Sequence, residues 1–324
     1  MRYKKLGTSG LEVSAVILGM MSFGESGTGA HTWTLNLDDS RELIKLALDA
    51  GITTFDTANI YSGGSSEEIT GTVLHELRAR HEVQIATKAY NPMRQGPNAF
   101  GLSRAALMTE IDASLRRLQT DYIDLYQIHS FDATTPMEET MEALNDIVRA
   151  GKARYIGASN LSAWQFSEMQ AIAERRGWAK FVSVQSQYNL LAREIERELI
   201  PYTKHAGVGV IPWSPLARGR LTRPWGSEAT TRQSNDQFGA TLYRGTDESN
   251  EAIATAVHTV AESHNVGMAQ IALAWVSSRP QVSAPIVGAT KPRHIEDAIT
   301  ALDVTLSDED VALLEAAYTP RYPS

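Results

Sequence analysis

Asp56, Tyr61, Lys88 and His129 are four chemically capable side chains at related positions: each ends, or closely follows, an apolar run short enough to be a buried strand. Asp56 closes the run Ile52, Thr53, Thr54, Phe55, and Tyr61 lies on the loop beyond it. Lys88 ends residues 84–88, and His129 ends residues 122–129. A buried lysine beside a buried aspartate forms an ion pair whose desolvation is costly, so the pattern is weak evidence for stability and better evidence for function. Tyrosine ordinarily titrates near pH about 10. A neighbouring Lys⁺ favours the phenolate, which is expected to lower that value and make the Tyr61 hydroxyl a proton donor near neutrality. His129 is placed to orient a carbonyl oxygen or pass a proton. Ser159 with Asn160, Gln185, and Trp213 with Ser214 end further apolar runs in the same way.

These positions come from a repeating pattern. A hairpin is expected at 3–6 and 11–13, turning through Gly7-Thr8-Ser9-Gly10. Eight strand-helix units follow. The first pairs strand 15–19 with helix 38–50, capped by Asp38 or Asp39 and stopped by Gly51. The second pairs strand 53–56 with a helix at 66–79, opened by a Ser65-x-x-Glu68 capping box. Strands 84–88, 122–129, 153–159 and 181–185 are followed by helices 103–118, 137–150, 162–176 and 193–204. Strand 208–213 precedes a long loop and helices 248–264 and 268–279; strand 283–288 precedes helix 293–302 and a final helix at 307–317.

Eight such units without a Pro/Ser-rich linker predict one α/β domain over 1–324, closed as a (β/α)8 TIM barrel with an N-terminal β-hairpin and extra C-terminal helices. An open doubly wound sheet is the second choice. Its usual GxGxxG turn is replaced after the first strand by Gly19-Met20-Met21-Ser22-Phe23-Gly24, and Gly24, Gly27 and Gly29 reverse the spacing without opening a helix. In a barrel these strand ends converge on one mouth. The long loops 90–102 and 214–247 would wall it with Phe100, Trp225, Phe238 and Tyr243.

The 324 residues are 43% hydrophobic with no apolar run of membrane-spanning length and no signal peptide, which leads to the expectation of a soluble, cytoplasmic protein. A formal net charge of −8 argues against nucleic acid as a partner. The absence of cysteine removes disulfides, thiolate nucleophiles and Cys-based zinc sites, and His31, His75, His81, His205, His258 and His264 show no metal-ligand spacing.

The sequence resembles the aldo-keto reductase superfamily over essentially its whole length. The resemblance lies in FDTANIY followed by SEE, Thr87-Lys88, DLYQIH at 124–129, RYIGASN at 154–160, VQSQYNLL, WSPLARG and PIVGATKPRHIEDA. It implies a (β/α)8 barrel that binds NADP(H) without a Rossmann domain and reduces a small-molecule carbonyl, with Asp56, Tyr61, Lys88 and His129 as the catalytic four. By the same resemblance, the nicotinamide delivers hydride to the carbonyl carbon and Tyr61 protonates the oxygen. Asp56 would also border the cofactor. Ser159, Asn160 and Gln185 would bind the carboxamide, and Trp213 would stack on the nicotinamide. Ser214 and Leu216 would meet the pyrophosphate, and Gly288, Thr290, His294 and Asp297 the adenosine phosphate end. His294 stands where some branches carry Arg or Gln, and Ala298 where they carry Asn; Lys291, Arg293 and Arg218 are the cations expected to favour NADP over NAD. Met20 and Met21, with Phe23, are expected in the pocket wall.

Each residue taken alone has a plainer reading: Asp56 as a helix cap, Tyr61 and Trp213 as core aromatics, His129 as a hydrogen-bonded structural histidine. Two other functions compete with carbonyl reduction. One is a Schiff-base aldolase or lyase acting through Lys88, against which an Asp56 partner argues by keeping the amine protonated. The other is an NADPH-binding sensor subunit with little turnover. Aromatic loops predict an apolar or aromatic carbonyl substrate, with Arg94 as a handle for an acidic group. Homo-oligomerisation is left open.

Overall fold

The computed structural model describes residues 1–25, 33–227, 237–243 and 246–320. Strands β1 (Tyr3–Lys5) and β2 (Glu12–Ser14) form the antiparallel hairpin, with Lys4 opposite Val13. Gly7 sits at φ +61°, and a Cβ there would lie 2.3 Å from the Gly207 carbonyl oxygen, which instead accepts from the Thr8 N–H at 2.8 Å. The hairpin therefore docks on the base of the barrel. Leu6, Leu11 and Val13 pack there against Ile17, Ala86, Leu125, Ile211, Ala284 and Ile286.

Eight parallel strands follow: β3 (Ile17–Gly19), β4 (Thr54–Asp56), β5 (Gln84–Ala89), β6 (Ile123–Ile128), β7 (Ala153–Ser159), β8 (Phe181–Gln185), β9 (Gly209–Val210) and β10 (Ile286–Gly288). Each pairs with the next in the chain from β3 to β9, and β10 returns to pair with β3, Ile286 beside Ile17. The last seam is closed by three backbone bonds: Val210 N to Gln281 O at 3.1 Å, Ser283 N to Val210 O at 2.9 Å, and Ile286 N to Pro212 O at 2.9 Å. The result is a (β/α)8 barrel. β9 and β10 are shorter than the apolar runs predict. Pro212 and Pro285 lack the N–H that a ladder needs, so the regular strands end at Val210 and begin at Ile286, although Ile211 and Trp213 still donate to the Val184 and Ser186 carbonyls.

Helices α1 (Leu37–Asp49), α2 (Ser65–Leu77), α3 (Arg104–Arg117), α4 (Met137–Arg149) and α5 (Ala163–Arg176) lie outside the strands. Leu43, Ile44, Ala47 and Leu48 of α1 show the period that buries such a helix on a sheet. Two caps differ from expectation. Asn36, not Asp38 or Asp39, caps α1 by accepting from Asp39 N. α2 opens after left-handed Gly64 without the capping box, because Ser65 Oγ is occupied by Glu25 N and Ser62 O.

α6 (Leu199–Ala206) starts later than the predicted residue 193. Pro201 has no N–H for the Arg197 carbonyl and is accommodated only in a first turn, so a short 3₁₀ turn, Glu194–Glu196, precedes it. α7 (Gln237–Leu242), α8 (Asp247–Ser263), α9 (Met268–Ser278), α10 (Pro292–Thr300) and α11 (Asp308–Glu315) complete the described helices. α8, α9 and α11 enclose a second core around Trp275 and Tyr188. None of the described helices is long and apolar enough to cross a membrane.

Candidate active site

In the barrel, register alone brings the strand ends together. Asp56 pairs with Ala86, and Lys88 lies two residues further along β5, on the same face, beside Gln127 of β6. Lys88 is 0% exposed and Asp56 2%. The Lys88 ammonium donates to Asp56 Oδ1 at 2.5 Å, to the Thr57 carbonyl at 2.7 Å and to the Tyr61 hydroxyl at 3.4 Å. Three donors meet three oxygens. Burial disfavours the Lys88 charge, but Asp56 and Tyr61 outweigh it and hold the ammonium above its usual pKa. An amine committed to three oxygens and set behind the cleft wall does not suit a Schiff-base nucleophile.

Tyr61 departs from the sequence-based expectation. Its pKa is raised, because burial acts more strongly than the Lys88 charge and Asp56 adds in the same direction. The hydroxyl is thus a neutral acid across the physiological range. The His129 ring stands edge-on to Tyr61 with centroids 5.7 Å apart. Burial, reinforced by Lys88, lowers the His129 pKa to about 3, so its imidazole is neutral. Asn91 Nδ2 lies 3.5 Å from His129 Nδ1, a long contact that assigns the acceptor role to Nδ1 and leaves Nε2–H as donor.

A cleft of about 2020 Å³ opens above these groups. Asp56, Tyr61, His129, Ser159, Asn160, Gln185, Trp213, Ser214, Leu216, Arg218, Gly288, Thr290, Lys291, His294 and Asp297 all line it, as do Met21 and Arg293. Lys88 lies beneath it. Met20 and Phe23 do not reach it: both are fully buried in the core, and the Met20 carbonyl accepts from Ser66 Oγ.

Asn160, at φ +57°, has its amide fixed from three sides: Trp213 Nε1 donates to Oδ1 at 3.0 Å, and Nδ2 donates to the His129 carbonyl and to Ser159 Oγ, each at 3.0 Å. The loop aromatics behave differently from expectation. Phe100 packs on Tyr90 with centroids 4.7 Å apart, Tyr243 is buried in the second core, and Trp225 lies off the cleft; the Phe238 side chain is outside the described residues. Arg94 is no substrate handle, since its guanidinium holds the Pro97 and Asn98 carbonyls of its own loop.

Sequence reasoning missed Gln127, Asn91 and Trp33, the last two of which line the cleft. Gln127 donates to Asp56 Oδ2 at 3.0 Å, and Gln185 donates to the same oxygen at 2.9 Å. The signal for Gln127 was present: a polar residue two positions before His129 in an otherwise apolar strand shares its face. Trp33, next to a loop without periodicity, gave none. No cluster of potential metal ligands occurs among the described residues.

A buried aspartate-lysine pair in contact with a tyrosine, beside a histidine, sits at the C-terminal mouth of a (β/α)8 barrel, and the comparisons with known proteins place this fold among oxidoreductases. The chain belongs to the aldo-keto reductases: the sequence model of the Aldo/keto reductase family matches residues 15–319. It is 45% identical to the versiconal hemiacetal acetate reductase of Aspergillus parasiticus, covering 99% of this chain and 98% of that one. It is 42% identical to an aldo-keto reductase of Fusarium vanettenii, covering 98% and 91%. A Schizosaccharomyces pombe protein provisionally named an aryl-alcohol dehydrogenase is also 42% identical, covering 98% and 96%.

Proposed function

We infer that this enzyme reduces an aldehyde or ketone with NADPH, Tyr61 giving the proton to the carbonyl oxygen. The observation that carries this is the contact of the Tyr61 hydroxyl with the buried Lys88–Asp56 pair at the floor of the cleft. His129 Nε2–H and the Tyr61 hydroxyl both donate, and two donors at one mouth suit a single acceptor oxygen. As that oxygen takes the Tyr61 proton, negative charge passes to the phenol, where Lys88 meets it. A bound nicotinamide would supply the hydride.

The donor set fits such a cofactor. Ser159 offers a hydroxyl and Gln185 an amide at adjacent strand ends, matching a carboxamide. Trp213 lines the same cleft, its indole N–H held on Asn160 Oδ1. The same cleft continues past Ser214 and Leu216 to Thr290 and to Lys291, the residue that caps α10. Positive side chains at a helix N-terminus oppose its dipole, so Lys291 and Arg293 there favour a phosphate between them. With Arg218 they supply the preference for NADP(H). The relatives' names include a reductase of a hemiacetal acetate and an aryl-alcohol dehydrogenase, in keeping with an apolar or aromatic carbonyl here.

Titration with NADPH and with NADH, followed by tryptophan fluorescence and by turnover of an aromatic aldehyde, tests the reading. NADPH is expected to bind at least about tenfold more tightly, a gap that one charge-assisted contact suffices to produce, and Lys291→Ala with Arg293→Ala is expected to erase it. Absence of dinucleotide binding would overturn the proposal.

A further inference from the structure

Gln127 is fully buried, touches neither Tyr61 nor the cleft, and still contacts the two groups on which the site depends. Its Nε2 donates to Asp56 Oδ2 at 3.0 Å, and its Oε1 accepts from Gln185 Nε2 at 3.2 Å. Gln185 Nε2 makes its other bond to Asp56 Oδ2, at 2.9 Å. A carboxylate paired with lysine only accepts, so both glutamines must turn their nitrogens to Asp56. With its nitrogen committed, Gln127 offers its oxygen to Gln185. Both N–H groups of Gln185 are then used inside the barrel, and what Gln185 has left for the cleft is its carbonyl oxygen.

We propose that Gln127 is a positioning residue that fixes Gln185 as a pure hydrogen-bond acceptor toward the cleft, and so selects a ligand that donates there. Resting on the dinucleotide reading above, the selected group is the N–H₂ of the nicotinamide carboxamide, whose carbonyl turns to the Ser159 hydroxyl on the neighbouring strand. Fixing the carboxamide this way fixes which face of the ring looks toward Tyr61. Without Gln127, one N–H of Gln185 loses its acceptor and becomes available as a donor, while the bond to Asp56 Oδ2 remains.

The test is equilibrium binding of NADP⁺ and of its 3-acetylpyridine analogue, in which a methyl ketone replaces the carboxamide and removes the N–H₂. The wild type is expected to bind the analogue about tenfold more weakly, the consequence of leaving a buried acceptor without its donor. In Gln127→Met, nearly isosteric and apolar, the ratio of the two dissociation constants is expected to fall toward unity. Each ratio is taken within one preparation, so a lowered folded fraction cancels. Should that variant not fold, the wild-type ratio and Gln127→Leu carry the test. Equal affinities in the wild type, or a full ratio retained in Gln127→Met, would overturn the assignment while leaving the cofactor reading intact. Failure of both dinucleotides to bind would overturn both.

Discussion

The Tyr61 hydroxyl is placed between a charge that favours its ionisation and a burial that opposes it, and burial prevails. The hydroxyl therefore keeps its proton across the physiological range, as the proposed reduction requires of it. His129 carries the same logic in the other direction, since its ring is enclosed beside Lys88 and stays neutral down to about pH 3. Carbonyl reduction should accordingly show no inflection near pH about 6.5, the ordinary histidine value. An acid limb between pH 6 and 7 that disappears in His129→Gln would contradict this. The linkage sign also follows. An unfolded histidine binds its proton below about 6.5 while the folded ring does not, so His129 makes stability fall as pH drops from there toward about 3. Chemical denaturation of His129→Gln across that window should show a shallower loss than the wild type.

At the scale of elements, the strand carrying Lys88 is fixed from behind. Glu67 of α2 is fully buried, with Oε1 accepting from Thr87 Oγ1 at 2.5 Å and Oε2 from Arg117 Nε of α3 at 2.6 Å. One ion pair thus ties two helices to the residue preceding Lys88. Arg117→Ala leaves the Glu67 charge without its partner and should cost about 3–5 kcal/mol of unfolding free energy, read by urea denaturation. A loss below about 1 kcal/mol would mean that water replaces the guanidinium.

Element types and their order were legible because each strand-helix unit carries its own period and its own stop. Details fixed by single backbone groups were not. Pro201, Pro212 and Pro285 are plain in the sequence, but which carbonyl each fails to satisfy depends on a register set by neighbouring strands. Ser65 matches the capping-box spacing, yet its hydroxyl is claimed by Glu25, some forty residues away.

The barrel ties its ends together. β10 returns to β3, and the N-terminal hairpin seals the floor formed by interior residues of several strands. The core between strands and helices and the floor under the hairpin both draw on residues from the two ends of the chain, whereas the second core around Trp275 is built from residues 188–318 alone. Thermal unfolding should give coincident single transitions by far-UV and near-UV circular dichroism; two separated transitions would show that the second core around Trp275 unfolds independently.

The meeting of Asp56, Tyr61, Lys88 and His129 could be read from the sequence because the eightfold alternation forces the strand ends to one mouth. Gln127 was legible as a polar residue sharing the face of His129, but its bonds to Asp56 and Gln185 were not, because which amide atoms meet depends on register around the barrel. The most direct test of the account is single-turnover reduction of an aromatic aldehyde by NADPH-loaded protein, comparing wild type with Tyr61→Phe. The phenol is predicted to contribute about 10²–10⁴-fold to the rate, as a positioned general acid does, with NADPH affinity nearly unchanged. A Tyr61→Phe enzyme that reduces the aldehyde at the wild-type rate would show that the proton comes from elsewhere.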